Sequence, residues 1–442
     1  MTDPSKVGRP QPALFEYGTV YPRLTHYLFR YPAKFHPPIV RSLIERLTEP
    51  GATLFDPFIG SGTAGIEAMV AGRNAVGLDV DPVAVAVARV KTHRYQMRSL
   101  RCNAEALLET LTKHERAATE YKKRMFVDLS PASLAGELRS VKKYVPAIPS
   151  IEHWFRRYVI VDLAKIRGAI EILEMPESHR DFLRIIFSSI IRNASNADPV
   201  PVSGLEVTSH MRRKDEEGRL VNPFALFRKA LANGLDAVEQ FADATDRHCS
   251  ARIRLGDATS VRLKQVNFDA VITSPPYHGA VDYYRRHKLE MYWLAHTHSE
   301  NDRHDLLDRY IGRVSVPRRN RFLSYPTIGP LSSHWEQTIR KIKPDRANAF
   351  RHYQATMRAV FQNLASSLAE GRPAAIVIGH SRWNGLELPA TDLFEETAGD
   401  LFELRDVLSY PLKNRYMSYS RRNGANIQTE RVLIFKRTAV GA

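Results

Sequence analysis

The sequence predicts an α/β fold: a doubly wound parallel sheet interrupted by a large helical insertion. Three observations predict it. A short apolar strand at 52–55 runs into a turn holding Gly60 and Gly62 and then into a helix. A second strand and helix follow at once, at 74–78 and 82–90. After a long helical stretch, strand signals resume at 251–255, 268–273, 374–379 and 431–435.

Taken in order, residues 1–30 are rich in Pro, Tyr and Arg, have no clear period and read as an irregular arm. Residues 37–47 (PPIVRSLIERL) repeat apolar side chains at helical spacing, with proline at the start, where a missing N–H does no harm. Residues 31–94 then form a strand–turn–helix–strand–helix unit. From 95 to 250 helical patterns dominate, among them 104–124, 152–174 and the run DFLRIIFSSIIRN at 181–193. Residues 251–294 return to the sheet, 295–345 read as a basic, loop-rich segment, and 346–442 complete the sheet. One sheet with a helical insertion is the simplest account.

Composition narrows the partners. The chain has 442 residues, with 64 Lys plus Arg against 48 Asp plus Glu, a formal charge of +16 that favours polyanions. No run of 18 apolar residues exists and the first residues lack the apolar centre of a signal peptide, so no membrane partner and a soluble, cytoplasmic protein are expected. Cys102 and Cys249 are too few for a disulfide framework or a four-cysteine metal site, and no metal is expected.

The first chemistry-bearing segment is Asp56-Pro57-Phe58-Ile59-Gly60-Ser61-Gly62-Thr63, at the carboxyl end of a strand and opening a helix. Glycines let the backbone approach a ligand there, and strand ends of an open parallel sheet are where ligands bind. A dinucleotide or P-loop site turns N–H groups, and in a P-loop a lysine, toward phosphates. Here an acid precedes the turn and no lysine follows the second glycine, which suits a positively charged, phosphate-free ligand group. Asp79 and Asp81 (GLDVDP) close the next strand, placed for ribose hydroxyls.

The second segment is Thr273-Ser274-Pro275-Pro276-Tyr277, directly after the strand FDAVIT. Two prolines stiffen the loop and remove two donors, leaving carbonyls to accept. Such a loop suits a planar base with an exocyclic amine: the Ser274 hydroxyl and the Pro275 carbonyl can accept the amine hydrogens, and Tyr277 can stack on a base taken out of the duplex.

With these motifs the sequence resembles the S-adenosylmethionine-dependent DNA amino-methyltransferases. DPFIGSGT at 56–63, GLDVDP at 77–82, GDA at 256–258 and TSPPY at 273–277 carry the resemblance, supported by YPAKFHP at 31–37 and VDYYRRHKLEMYWL at 281–294. It covers residues 20–95, 250–295 and 370–437. It implies a Rossmann-like methyltransferase sheet and S-adenosylmethionine as cofactor, which carries an ammonium and a sulfonium and no phosphate. Position by position it implies that Asp56, Gly60, Gly62 and Thr63 hold the methionine part, with Lys34 and Phe35 beside them and Pro57 and Phe58 also among the cofactor-binding residues. Asp79 would bind the ribose, Asp257 would lie near the adenine, and Ser274, Pro275, Pro276 and Tyr277 would form the catalytic loop. Serine before Pro-Pro-Tyr is typical of the family's N4-cytosine branch, where Asp or Asn is typical of N6-adenine enzymes.

The implied reaction is direct displacement of the sulfonium methyl by the exocyclic nitrogen of cytosine, after base flipping in double-stranded DNA. Arg285, Arg286, Lys288, Arg318, Arg319, Arg321, Lys413, Arg415, Arg421 and Arg422 are candidate phosphate contacts. Residues 405–437 are the most one-sided stretch, with eight Lys or Arg against two acids. The 95–250 insertion and the 295–345 segment compete as target-recognition region. An N6-adenine enzyme, an RNA amino-methyltransferase and a non-catalytic DNA-binding protein are the rival readings. A companion restriction endonuclease is a possible partner, and the oligomeric state is not readable from one chain.

Overall fold

The computed structural model describes residues 12–18, 21–32, 34–115, 119–121, 131–199, 205–260, 267–279, 283–316, 325–379, 381–383, 386–411 and 429–439. The strands are β1 (Ala13–Leu14), β2 (Thr53–Asp56), β3 (Asn74–Asp79), β4 (Ala251–Leu255), β5 (Ala270–Thr273), β6 (Pro373–Gly379), β7 (Ser381–Trp383), β8 (Leu386–Leu388), β9 (Phe402–Pro411) and β10 (Thr429–Arg437). Eight of them form one sheet in the order β1–β9–β10–β6–β5–β2–β3–β4, and β7 pairs with β8 in a separate hairpin. From β6 to β4 every pairing is parallel, whereas β10 runs antiparallel to both β6 and β9.

The strand sequences explain why both faces are covered. Successive residues point to opposite faces of a strand. Leu54, Ala75, Ala270, Ile272, Ala375, Val377, Val432 and Ile434 pack on one side with Ile39, Val40 and Leu43 of helix α1 (Pro37–Leu47). Their neighbours Phe55, Val76, Val271, Ala374, Ile376, Leu433 and Phe435 pack on the other, against Tyr353, Met357, Phe361 and Leu364 of the helix Pro344–Ser367. Helices α2 (Thr63–Val70) and α3 (Pro82–Thr92) follow β2 and β3. Asp81 caps α3, its Oδ1 accepting the Val83 and Ala84 amides at 2.8 and 3.2 Å.

Between α3 and β4 the described residues are largely helical, from Met97–Thr112 to Pro223–Ala244. Their apolar faces form one buried cluster with Val83, Val87 and Val90 of α3 and with Leu289, Met291 and Trp293 of the helix Tyr283–Trp293. The helices therefore pack onto the sheet's own α3 layer. No helix among the described residues is long and apolar enough to cross a membrane.

Two segments differ from expectation. In the supposed irregular arm, β1 pairs in parallel with β9, and a single 3-10 turn at Leu24–Tyr27 buries Leu24, Thr25 and His26. The 295–345 segment, expected to be loop-rich, holds the helices Glu300–Leu307 and Pro330–Ile342. The first is started by a capping box between Ser299 and Asp302. Its scarcity of apolar residues hid it, since none of its eight residues is buried.

Candidate functional site

The chain runs β2, β3, β4 outward, then returns to the other side of β2 as β5. The carboxyl ends of these strands at that switch frame a crevice, the usual ligand position in an open parallel sheet. An open cleft of about 780 Å3, part of it solvent, lies there. Lys34, Phe35, Asp56, Pro57, Phe58, Gly60, Thr63, Asp79 and Asp257 line it, with Ser274 and Pro276. Gly62, Pro275 and Tyr277 are not in its lining.

Asp56 is 4% exposed and accepts the Thr273 hydroxyl at 2.6 Å and the Phe58 amide at 3.0 Å. Burial pushes its carboxyl up to about 7, with those two hydrogen bonds opposing. Asp79 accepts the Gly60 amide at 2.9 Å and the Asp81 amide at 2.9 Å. Burial, then the neighbouring Asp81 charge, pushes it up to about 7 as well. Among the described residues no cation pairs with either acid. The Ser61 hydroxyl in the same lining is buried without a hydrogen-bond partner. Two carboxylates lacking a counter-ion and one orphan hydroxyl fit a ligand with a cationic group and further polar atoms.

The turn's geometry follows from its glycines. Gly60 has φ +50°, and its amide reaches Asp79. Gly62 has φ +90° and starts α2; a Cβ there would stand 3.0 Å from Ala88 of α3, so glycine serves helix packing at this position.

Lys34 turns its ammonium to the His26 carbonyl at 3.3 Å and lies 4.1 Å from the centroid of the Tyr27 ring. Burial lowers it to about 8. The Asp257 carboxylate accepts the Thr259 amide and hydroxyl at 2.8 and 2.7 Å.

Two expectations change in detail. Asp81, read as a partner of Asp79 for ribose, is fully buried; it is spent on the α3 cap and stands 3.6 Å from His287. Burial opposes its charge, but the His287 ring and the helix amides hold it below the usual carboxylate range. Tyr277, read as a stacking ring, donates its hydroxyl to Glu430 at 2.9 Å. The Pro276 carbonyl accepts from Tyr353 at 3.1 Å.

The cleft also contains Tyr31, Ser61, Tyr283, Arg309, Tyr310 and Ile311, none of them singled out beforehand. Tyr31, Ser61 and Tyr283 lie inside the quoted motifs. Arg309 to Ile311 follow a polar helix with no motif at all.

Of the candidate phosphate contacts, Arg285 pairs with Glu206 at 3.1 Å, about half exposed. The Arg286 carbonyl accepts from Arg192 at 3.0 Å, and Arg286 and Lys288 are half-buried. Arg318, Arg319, Arg321, Lys413, Arg415, Arg421 and Arg422 lie outside the described residues.

The doubly wound sheet and its acid-lined crevice define the fold class of S-adenosylmethionine-dependent methyltransferases, and S-adenosylmethionine is the cofactor of that class. Residues 9–89 match a family model described as DNA methylase. The chain is 25% identical over 290 residues to the type II methyltransferase M.MvaI of Kocuria varians, covering 61% of this chain and 58% of that one. It is 25% identical over 292 residues to M.BsoBI of Geobacillus stearothermophilus, covering 61% and 52%. A stretch of 88 residues is 34% identical to M.MjaII of Methanocaldococcus jannaschii, covering 20% and 16%. The chain thus spans little more than half the length of the first two relatives. Over these stretches it is similar to DNA methylases and type II methyltransferases.

Proposed function

We propose that the protein transfers a methyl group from S-adenosylmethionine to the N4 amine of cytosine in double-stranded DNA, on a base flipped out of the helix. The observation that carries this reading is the 2.6 Å hydrogen bond from Thr273 to Asp56. It ties the catalytic loop to the cofactor turn across 217 positions of sequence, so that Ser274 and Pro276 face the same cleft as Asp56, Gly60 and Asp79.

Bound there, the cofactor supplies an activated methyl group. The chain's own residues do the rest by placement. Asp56 and the orphan Ser61 hydroxyl suit the methionine end, Asp79 suits the ribose and Asp257 the adenine. Ser274 and the Pro275 carbonyl accept the amine hydrogens and so orient the nitrogen lone pair toward the cleft. Orientation of this kind is the main catalytic resource of a direct displacement. The serine before Pro-Pro-Tyr favours cytosine over adenine. Arg285, Arg286 and Lys288, beyond the loop, are proposed phosphate contacts. Of the two candidate target-recognition segments, 295–345 reaches the cleft through Arg309, Tyr310 and Ile311, which favours it over the 95–250 insertion. The type II methyltransferase names of the relatives support a restriction–modification setting, in which a companion endonuclease is a proposed partner.

The test is methylation of unmethylated duplex DNA followed by nucleoside mass spectrometry, with Ser274→Ala as control. N4-methyldeoxycytidine that falls at least about tenfold in the variant is the expected result. N6-methyldeoxyadenosine would overturn the base assignment and leave the enzyme class standing.

A further inference from the structure

The catalytic loop is held at both ends by a carboxylate. At its start Thr273 donates to Asp56 at 2.6 Å; at its end Tyr277 donates to Glu430 Oε1 at 2.9 Å. Asp56 belongs to the cofactor cleft, whereas Glu430 is absent from the cleft lining. Glu430 is instead the second residue of β10, directly opposite Tyr410 of β9, whose hydroxyl donates to Glu430 Oε2 at 2.5 Å. Burial pushes the Glu430 carboxyl up, and the two phenol hydrogen bonds oppose that rise.

Further contacts bear on the same stretch of loop. Tyr353 donates to the Pro276 carbonyl at 3.1 Å. The Gly279 amide donates to the Gly312 carbonyl at 2.7 Å, and Gly312 lies so close to Tyr277 that a Cβ there would stand 2.9 Å from its carbonyl oxygen. These contacts fix the height of the loop, whereas Glu430 holds the Tyr277 hydroxyl, which the Ser274 side chain also hydrogen-bonds. With its hydroxyl so bound, Tyr277 is absent from the cleft lining that Ser274 and Pro276 join.

We infer that Glu430 is a positioning residue for methyl transfer: by holding Tyr277 against β10 it sets where Ser274 and the Pro275 carbonyl stand. It touches neither cofactor nor base. The inference rests on the methyltransferase reading above. Its consequence is a defect in turnover with binding intact, because a displacement of order 1 Å at a reacting group costs about a hundredfold in rate.

The experiment measures kcat, KM for duplex DNA and cofactor affinity by calorimetry for the full chain and for Glu430→Ala, Glu430→Gln, Tyr277→Phe and the double variant Glu430→Ala/Tyr277→Phe. Glu430→Ala should lower kcat between about tenfold and a hundredfold while KM and cofactor affinity stay within threefold. Glu430→Gln, which keeps one carbonyl acceptor, should recover part of the loss. The double variant should be no slower than the slower single variant, because both changes break the same Tyr277–Glu430 bond. Losses that multiply in the double variant, or a Glu430→Ala kcat within twofold of wild type, overturn the inference. If Glu430→Ala does not fold, the same cycle run with Glu430→Gln decides. No methyl transfer by the wild-type protein overturns the methyltransferase reading, and the role of Glu430 with it; full wild-type activity retained in the variants overturns the role alone.

Discussion

Replacing Asp56 with asparagine tests whether the cleft is built around a missing positive charge. The carboxyl is 4% exposed and stands at about 7 instead of its usual 3.8, chiefly because of burial. That change corresponds to about 4 kcal/mol of lost preference for the charged form. Since the folded protein holds this proton more tightly than the unfolded chain, the contribution of Asp56 to stability is greatest below pH 4 and falls as pH rises toward 7. Asparagine has the same shape, keeps an oxygen for Thr273 and Phe58, and has no charge to bury. In the cofactor-free protein, Asp56→Asn should therefore gain on wild type as pH rises from 4 to 8, with a final advantage of about 2–4 kcal/mol. Denaturant titrations of both proteins across that range give the difference directly, and the titration of Asp79 largely cancels between them. Excess S-adenosylmethionine at pH 8 should reverse the order, because only wild type offers the cationic ligand the Asp56 counter-charge. A stability difference that is flat with pH, or a variant that binds the cofactor as tightly as wild type, would refute the reasoning.

The remaining predictions follow from the same site. With Asp56 and Asp79 both near 7, cofactor binding should tighten about tenfold or more from pH 5.5 to 7.5 and release protons, read by calorimetry in buffers of different ionisation enthalpy; affinity independent of pH counts against the acid pair as cofactor ligands. Gly62→Ala should destabilise the protein by about 2–4 kcal/mol, since φ is +90° and the new methyl meets Ala88 at 3.0 Å; a loss under about 0.5 kcal/mol means α2 and α3 can separate freely.

The sheet's parallel half was legible because β2, β3, β5 and β6 are largely apolar and β2, β3, β4 and β5 each run into a motif. Periodicity located β2, β3, β4 and β6 to within a residue or so, and the glycine turn announced α2. Strand β9 was not legible: FELRDVLSYP alternates polar and apolar residues irregularly, and its pairing with β10 and β1 depends on neighbours far away in the chain. At the site, the acids and the serine could be read because their chemistry is explicit in residue type and strand-end position. Glu430 could not, since a lone glutamate at the start of a strand has no pattern, and its role exists only once Tyr277 and Tyr410 arrive from elsewhere. Asp81 illustrates the opposite error. Its type and place suggested a ligand role, but a following proline made it the better helix cap.

The bond between Thr273 and Asp56 also sets a timetable. The two residues are 217 apart, so at a synthesis rate of about 5–20 residues per second the ribosome makes the first about 10–40 seconds before the second. Through that interval β2 and β3 can pair with each other, yet the edge of β2 destined for β5 stays unpaired. The helices between α3 and β4 emerge meanwhile and can bury α3's outer face, but they leave that strand edge bare. The cofactor turn is thus translated early and completed late, and a pause or truncation between residues 80 and 270 would leave a half-sheet whose exposed edge invites pairing with another chain.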